Sequence, residues 1–366
     1  MIAERLRGQK KSIIRQIVDS APQNSINLGL GELTISTFSK KNREIYKKLQ
    51  NETAIYTPNA GLPELILQIK KYYNAPQAYV CVTNGAEEAI FATLFSILNA
   101  EDELLVANPD YPAYANIAKL LNVKCKSFDR NPQNNFQLEK KSLQESITPN
   151  TKAIIISNPS NPLSITYTSD ELDFIIKLAH EHNIVLIIDE IYKDLLFSGS
   201  GSTAFGKNMN IVVVSGLSKS YQLTGWRLGW VITQQEELAQ AITISHQYIS
   251  TCAGYFAQRI ATEILQQHQQ NSLKTLKEKL LANRDLASNL IKNNTNWKIL
   301  LSQAAPYLFV NIESNSLEFS KQKAAEGVIV IPGVAFGKNG AGWIRINYAI
   351  EKSQLIKGIE LLSNFS

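Results

Sequence analysis

The stretch IVVVSGLSKSYQLTGWRLG, residues 211–229, opens with four β-branched residues and turns polar at Ser215 and Gly216. A short, unbroken β-branched run closed by turn residues reads as a strand buried on both faces of a sheet. Lys219 stands just past that strand. Most lysines are solvated surface amines, but one held at the end of a buried strand is open to desolvation, which favours its neutral, nucleophilic form.

Upstream, apolar runs at 78–82, 103–107, 153–157 and 185–189 read the same way, and several are separated by stretches of helical period such as 171–180. Strands alternating with helices predict a largely parallel sheet wrapped by helices, the α/β class. Downstream, a polar helical stretch at 271–294 leads to short strands at 307–312, 328–331 and 343–347, with helices expected at 316–326 and 352–362. These predict a second, smaller α+β layer.

The chain of 366 residues is 44% hydrophobic and 19% charged, with 18 Gly and 12 Pro, which excludes disordered, collagen-like and low-complexity classes. Its net charge of +5 is too small and diffuse for a nucleic-acid footprint. The apolar runs fall far short of the roughly 20 residues that a membrane span needs. Cys81, Cys125 and Cys252 form no Cys-x-x-Cys pair and have no histidine at ligand spacing, so neither a disulfide framework nor a metal site is expected. The basic N-terminus lacks the apolar core of a secretory signal, and Glu4 and Asp19 argue against a transit peptide. A cytoplasmic protein is expected.

In an open parallel sheet, ligands bind beyond the carboxyl ends of the strands. At those ends the sequence reads Thr83-Asn84-Gly85-Ala86-Glu87, Asn158-Pro159-Ser160-Asn161-Pro162 and Asp189-Glu190-Ile191-Tyr192. A glycine turn opening a helix offers unpaired N–H groups to an anion such as phosphate, although Gly85 alone reads equally well as a plain turn glycine. Asn161 sits in a turn that can continue neither strand nor helix. Asp189 is costly where it stands unless a cation or N–H donor meets it.

Together these residues resemble the class I/II aminotransferases, pyridoxal 5'-phosphate enzymes of fold type I. The string S-K-x-x-x-x-x-G-x-R at 218–227 follows N-P-x-N-P and D-E-x-Y in the family's order, and the match runs from Gly29 in LGLGE to Arg345 in WIRINY. The resemblance implies a large cofactor-binding domain at 45–274 and a small domain formed by 1–44 and 275–366. It implies that Lys219 carries the cofactor as an aldimine and later shuttles a proton, that Asp189 pairs with the pyridine nitrogen, and that Tyr192 and Asn161 bond the ring's phenolic oxygen. Tyr111 falls where relatives stack an aromatic ring on the cofactor. The phosphate cradle begins at Gly85 and uses the N–H groups of Ala86 and Glu87, the Ser218 hydroxyl and the Arg227 guanidinium. Tyr56 matches a tyrosine that reaches the phosphate of the neighbouring subunit, which implies a homodimer with shared active sites. Arg345 would grip the substrate α-carboxylate beside Asn161, over a pocket floor at Gly29. Two positions depart from the pattern: Gly216 stands where many relatives have a serine, and Glu87 sets an acid beside the phosphate.

The implied activity moves the amino group of an L-amino acid to a 2-oxo acid by a ping-pong mechanism. A carbon–sulfur β-lyase or eliminase of the same fold is the alternative, and a binding protein without turnover is a third. Dicarboxylate-specific relatives use an extra basic group, for which His246 offers only a loosely aligned position. Gly201 to Asn208 nearly spells a phosphate-binding loop, but an apolar strand rather than a helix is expected after it. His180 and His182, two residues apart, do not share a helix face and make no metal pair.

Overall fold

The computed structural model, which describes residues 2–35, 44–47, 49–199, 203–267 and 270–363, centres on an eight-stranded sheet. Its strands lie in the order Tyr79–Thr83, Gly229–Thr233, Ile211–Gly216, Val185–Asp189, Thr151–Ser157, Glu103–Asn108, Lys124–Asn131 and Gln137–Leu138. From Ile211–Gly216 to Lys124–Asn131 all pairings are parallel. Gly229–Thr233 runs antiparallel to both of its neighbours.

Successive side chains of a strand face opposite sides of the sheet. Ile154, Ile156, Leu186, Ile188 and Val213 enter one core layer, while Ala153, Ile155, Ile187, Val212 and Val214 enter the other. Both faces are covered, so these strands are apolar at every position rather than at every second one. Helices supply the cover. Among them, Ser169–Glu181 starts at a capping box in which the Thr168 hydroxyl accepts from the Glu171 N–H and the Glu171 carboxylate accepts from the Thr168 N–H.

The C-terminal part builds a four-stranded antiparallel sheet in the order Lys298–Leu300, Tyr307–Asn311, Trp343–Asn347 and Ile331–Pro332. The N-terminal segment is tied to it. Ile26–Asn27 pairs in parallel with Val328–Ile329, and the Asn347 amide donates to the carbonyls of Leu30 and Glu32 at 2.6 and 2.8 Å. Residues far apart in the chain, Gly29–Glu32 and Arg345, are thereby fixed side by side.

Several expectations change in detail. The strand expected at 328–331 is two pieces in different sheets, with Pro332, which has no N–H to donate, in the second. Lys124–Asn131 went unread because it is polar along its length, and Gly229–Thr233 because its antiparallel run breaks the strand–helix alternation. The helical stretch expected at 271–294 is one continuous helix, Gln270–Asn294. Of the near-match to a phosphate loop, Gly201 and Ser202 lie outside the described residues, and the strand Ile211–Gly216 follows it.

Candidate active site

A cavity of about 710 Å³ opens at the carboxyl ends of the parallel strands. Its wall brings together Ala86, Glu87, Tyr111, Asn161, Asp189, Tyr192, Ser218, Lys219, Arg227 and Arg345. Gly85 and Gly29 lie directly behind that wall, against Arg227 and Arg345 respectively. Tyr56 is 84% exposed and stands apart from this chain's cavity.

Asp189 ends its strand on the cavity floor. Its Oδ1 accepts the Ile191 N–H at 3.0 Å and its Oδ2 accepts the Tyr114 hydroxyl at 2.9 Å. Burial pushes its pKa up to about 6, against the pull of those two donors and of the Lys219 charge. Such a carboxylate is short of a cation.

Lys219 donates from Nζ to the Gly31 carbonyl at 2.5 Å and lies 6.0 Å from the centre of the Tyr192 ring. A side chain at position 31 would run into the Tyr307 hydroxyl and come within 3.3 Å of Lys219 Nζ, so only glycine lets the backbone approach this closely. The hydroxyls of Tyr192 and Tyr307 share a hydrogen bond of 2.7 Å.

Arg345 is 3% exposed on its strand. It donates from Nη1 to Asn161 Oδ1 at 2.7 Å and from Nη2 to the Gly29 carbonyl at 2.6 Å. Its guanidinium lies 4.2 Å from the Tyr307 ring centre and 4.8 Å from that of Phe336, and Nε has no partner. All these contacts are neutral. A buried cation surrounded by dipoles alone is costly, and a planar carboxylate bound through two N–H groups is its natural complement.

Asn161 is held from behind. Its N–H donates to Ser157 Oγ at 3.2 Å, and the Ser157 hydroxyl donates to Asp110 Oδ1 at 2.5 Å. The same Asp110 oxygen accepts the Tyr111 N–H at 2.7 Å, so one buried carboxyl joins the turns that carry Asn161 and Tyr111. Burial raises the Asp110 pKa to about 7.

The opposite end of the cavity is built for an anion. Gly85, at φ 95°, caps the helix Ala86–Ile97, whose first N–H groups have no intrahelical partner. A Cβ at Gly85 would strike the Arg227 guanidinium, which lies over this turn and donates to the Thr224 carbonyl at 2.9 Å. Ser218 is buried beside it. The Glu87 side chain faces the cavity and accepts the Tyr111 hydroxyl at 3.3 Å.

His246 does not face the cavity. It is fully buried on the helix Glu236–Ser250, with Nδ1 2.5 Å from Glu88 Oε1. The sequence reading also passed over Tyr114, Tyr307 and Ser157, and over Ser12 and Arg15, which line the cavity from the helix Ile13–Ser20 and its cap. Tyr114 carried one usable signal, standing one helical turn beyond Tyr111. Among the described residues no group of His, Cys, Asp and Glu side chains is placed to hold a metal ion, and no helix is long and apolar enough to cross a membrane.

A buried carboxylate short of a cation, a lysine amine, an anion cradle and a carboxylate-seeking arginine in one cavity fit pyridoxal 5'-phosphate and an amino acid. The model of the family "aminotransferase class I and II" matches residues 23–362, and the chain belongs to that family. It is 30% identical to a probable aspartate aminotransferase of Methanocaldococcus jannaschii, over 99% of each chain. It is 27% identical to aromatic-amino-acid aminotransferase 2 of Thermococcus litoralis, over 98% of this chain and 96% of the relative. An alanine aminotransferase structure from Pyrococcus furiosus superposes with a TM-score of 0.91 at 26% identity, covering 100% of this chain and 99% of that one. The protein is a fold type I aminotransferase, and its cofactor is pyridoxal 5'-phosphate.

Proposed function

We propose that the protein moves the amino group of an L-amino acid to a 2-oxo acid, with Lys219, Asp189 and Tyr192 as its catalytic residues. The observation that carries this reading is the convergence on one cavity of Asp189 at the end of its strand, Lys219 in the turn after another, and Arg345 in the middle of a third. Pyridoxal 5'-phosphate, when bound, supplies an electron sink for the bond broken at the substrate's α-carbon.

The chain supplies the rest. Lys219 would hold the cofactor covalently, and its Nζ, when free, would carry the proton from the substrate's α-carbon to the cofactor carbon that receives the amino group. Asp189 would hold a proton on the ring nitrogen across a buried charge pair. Tyr192 and Asn161 would donate to the ring's phenolic oxygen, and Tyr111 would pack against the ring. The N–H groups of Ala86 and Glu87 at the Gly85 turn, with Ser218 and Arg227, hold the phosphate. Arg345 fixes the α-carboxylate beside Asn161 and Gly29 and so orients the α-carbon towards Lys219.

The functional unit in this reading is a cytoplasmic homodimer in which Tyr56 completes the neighbour's phosphate cradle. Support comes from the exposure of Tyr56 together with that of Ile55, Phe95, Ile244, Tyr248 and Ile249. The chain divides into a cofactor domain at 45–274 and a small domain of 1–44 with 275–366, a division supported by the pairing of Ile26–Asn27 with Val328–Ile329.

The test is a panel of L-amino acids mixed with the purified holoenzyme while the cofactor's absorbance band is followed. Conversion to the amine form with release of a 2-oxo acid is expected. Pyruvate and ammonia formed with the band intact would favour a lyase, and an unchanged band with every amino acid would remove the aminotransferase reading.

A further inference from the structure

We propose that the Glu87 side chain selects amino acids that carry a cationic group, ammonium or guanidinium, at the far end of an aliphatic side chain. The proposal rests on the aminotransferase reading and deepens it.

The charge on the cavity wall points this way. Its charged side chains are Arg15, Glu32, Glu87, Asp189, Lys219, Arg227 and Arg345. The cofactor and the substrate α-carboxylate engage Asp189, Lys219, Arg227 and Arg345, which leaves Arg15, Glu32 and Glu87. Arg15 adds only a Coulombic pull on Asp19, whose hydrogen-bonded ion pair is with Lys11 at 2.6 Å, and among the described residues no ion pair within 4 Å joins Arg15 to Glu32 or Glu87. Two carboxylates thus stand against one cation, and Glu87 is the one beside the site, where it accepts from a neutral phenol at 3.3 Å. That phenol, Tyr111, packs edge-on against Tyr114, which donates to Asp189, so Glu87 borders the middle of the cavity as well as its anion cradle. Independently, the buried and unpartnered Nε of Arg345 marks where the ligand's carboxylate belongs.

The wall between suits a methylene chain, since Ile14, Leu30, Ile90, Ile117 and Leu120 line the same cavity. The position of Glu87 adds a reason. It lies in the first turn of the helix whose N-terminus forms the anion cradle, so its carboxylate is repelled by a bound phosphate until a cation joins it. A substrate with a second carboxylate would bring a third negative group to that corner.

The holoenzyme tests this in two ways. The first compares kcat/KM for L-lysine with that for L-norleucine, which has the same chain without the terminal ammonium. A preference for lysine of at least tenfold is expected, and the ratio should fall at least tenfold in Glu87→Gln and less in Glu87→Asp. The second uses binding alone, titrating 6-guanidinohexanoate and hexanoate, neither of which carries an amine that could exchange with Lys219, into the holoenzyme in a calorimeter. The guanidinohexanoate should bind at least tenfold more tightly, and Glu87→Gln should erase most of that advantage. Equal binding of the two analogues would mean that Arg15 or another group already neutralises Glu87 and would overturn the proposal. A best rate with aspartate, or a ratio unmoved by Glu87→Gln, would also overturn it. Turnover of neutral or acidic amino acids without a lysine preference would defeat this inference alone, whereas failure of every amino acid to convert the cofactor would defeat the aminotransferase reading with it.

Discussion

Asp189 links the ionisation of a single residue to the stability of the cofactor-free chain. Its pKa of about 6 lies above the ordinary 3.8, so the native state binds the proton more tightly than the unfolded chain does. Asp189 therefore costs little below pH 4, and costs more as pH rises towards 6, with the full penalty above that. At about 1.4 kcal/mol per unit the penalty reaches about 3 kcal/mol. Urea unfolding of the cofactor-free protein should find Asp189→Asn more stable than wild type by up to that amount at pH 8 and by little at pH 4; an equal gain at both values would contradict this. The same variant, loaded with cofactor, should lose activity by on the order of 10³-fold or more, since Asn cannot hold the ring nitrogen's charge. Tyr114→Phe removes a donor to this carboxylate, and a loss of about 1.5–3 kcal/mol in cofactor affinity is expected by spectral titration. Asp189 and Lys219 were legible in the sequence because they stand at and just past the ends of apolar strand runs, and Arg345 only through the motif WIRINY that carries the family resemblance. Tyr114 and Tyr307 were not, because an aromatic side chain suits a packed core as well as a site, and only the fold brings their hydroxyls to Asp189 and Tyr192.

At the scale of elements, the site depends on backbone that no substituted residue adopts easily. Gly85 has φ 95° and ψ 162°, a region that costs a residue with a Cβ about 1–3 kcal/mol, and its Cβ would also displace Arg227. Gly85→Ala should weaken cofactor binding at least about tenfold and lower the melting temperature, with calorimetric scans of loaded and unloaded protein separating the two effects. The buried strands were readable because both of their faces are covered and their apolar runs are continuous. Lys124–Asn131 was hidden for the opposite reason: its residues are mostly polar, and its place in the sheet comes from pairing with Glu103–Asn108 rather than from its own pattern. The contribution of the helix Ile13–Ser20 to the cavity had no local signal, since an amphipathic segment with one Arg and one Asp looks alike on any surface.

At the scale of the whole molecule, the α/β architecture followed from alternation, while the joining of the N-terminal segment to the C-terminal part was implied only by the family resemblance; the pairing of Ile26–Asn27 with Val328–Ile329 and the Asn347 bonds to Leu30 and Glu32 make it. Shared sites in a homodimer make a quantitative prediction. Tyr56→Phe and Lys219→Ala chains, each impaired alone, should form mixed dimers with one intact site when unfolded together and refolded. Such a mixture is expected to recover about a quarter of wild-type activity. Recovery no greater than the sum of the separate variants would place Tyr56 outside its neighbour's site. The covalent hold of Lys219 on the cofactor is the claim on which the rest depends, and borohydride reduction of the holoenzyme followed by peptide mass mapping tests it most directly. A reduced pyridoxyl group on Lys219 is the result expected; a label on another lysine, or none on a protein that holds the cofactor, would contradict the account.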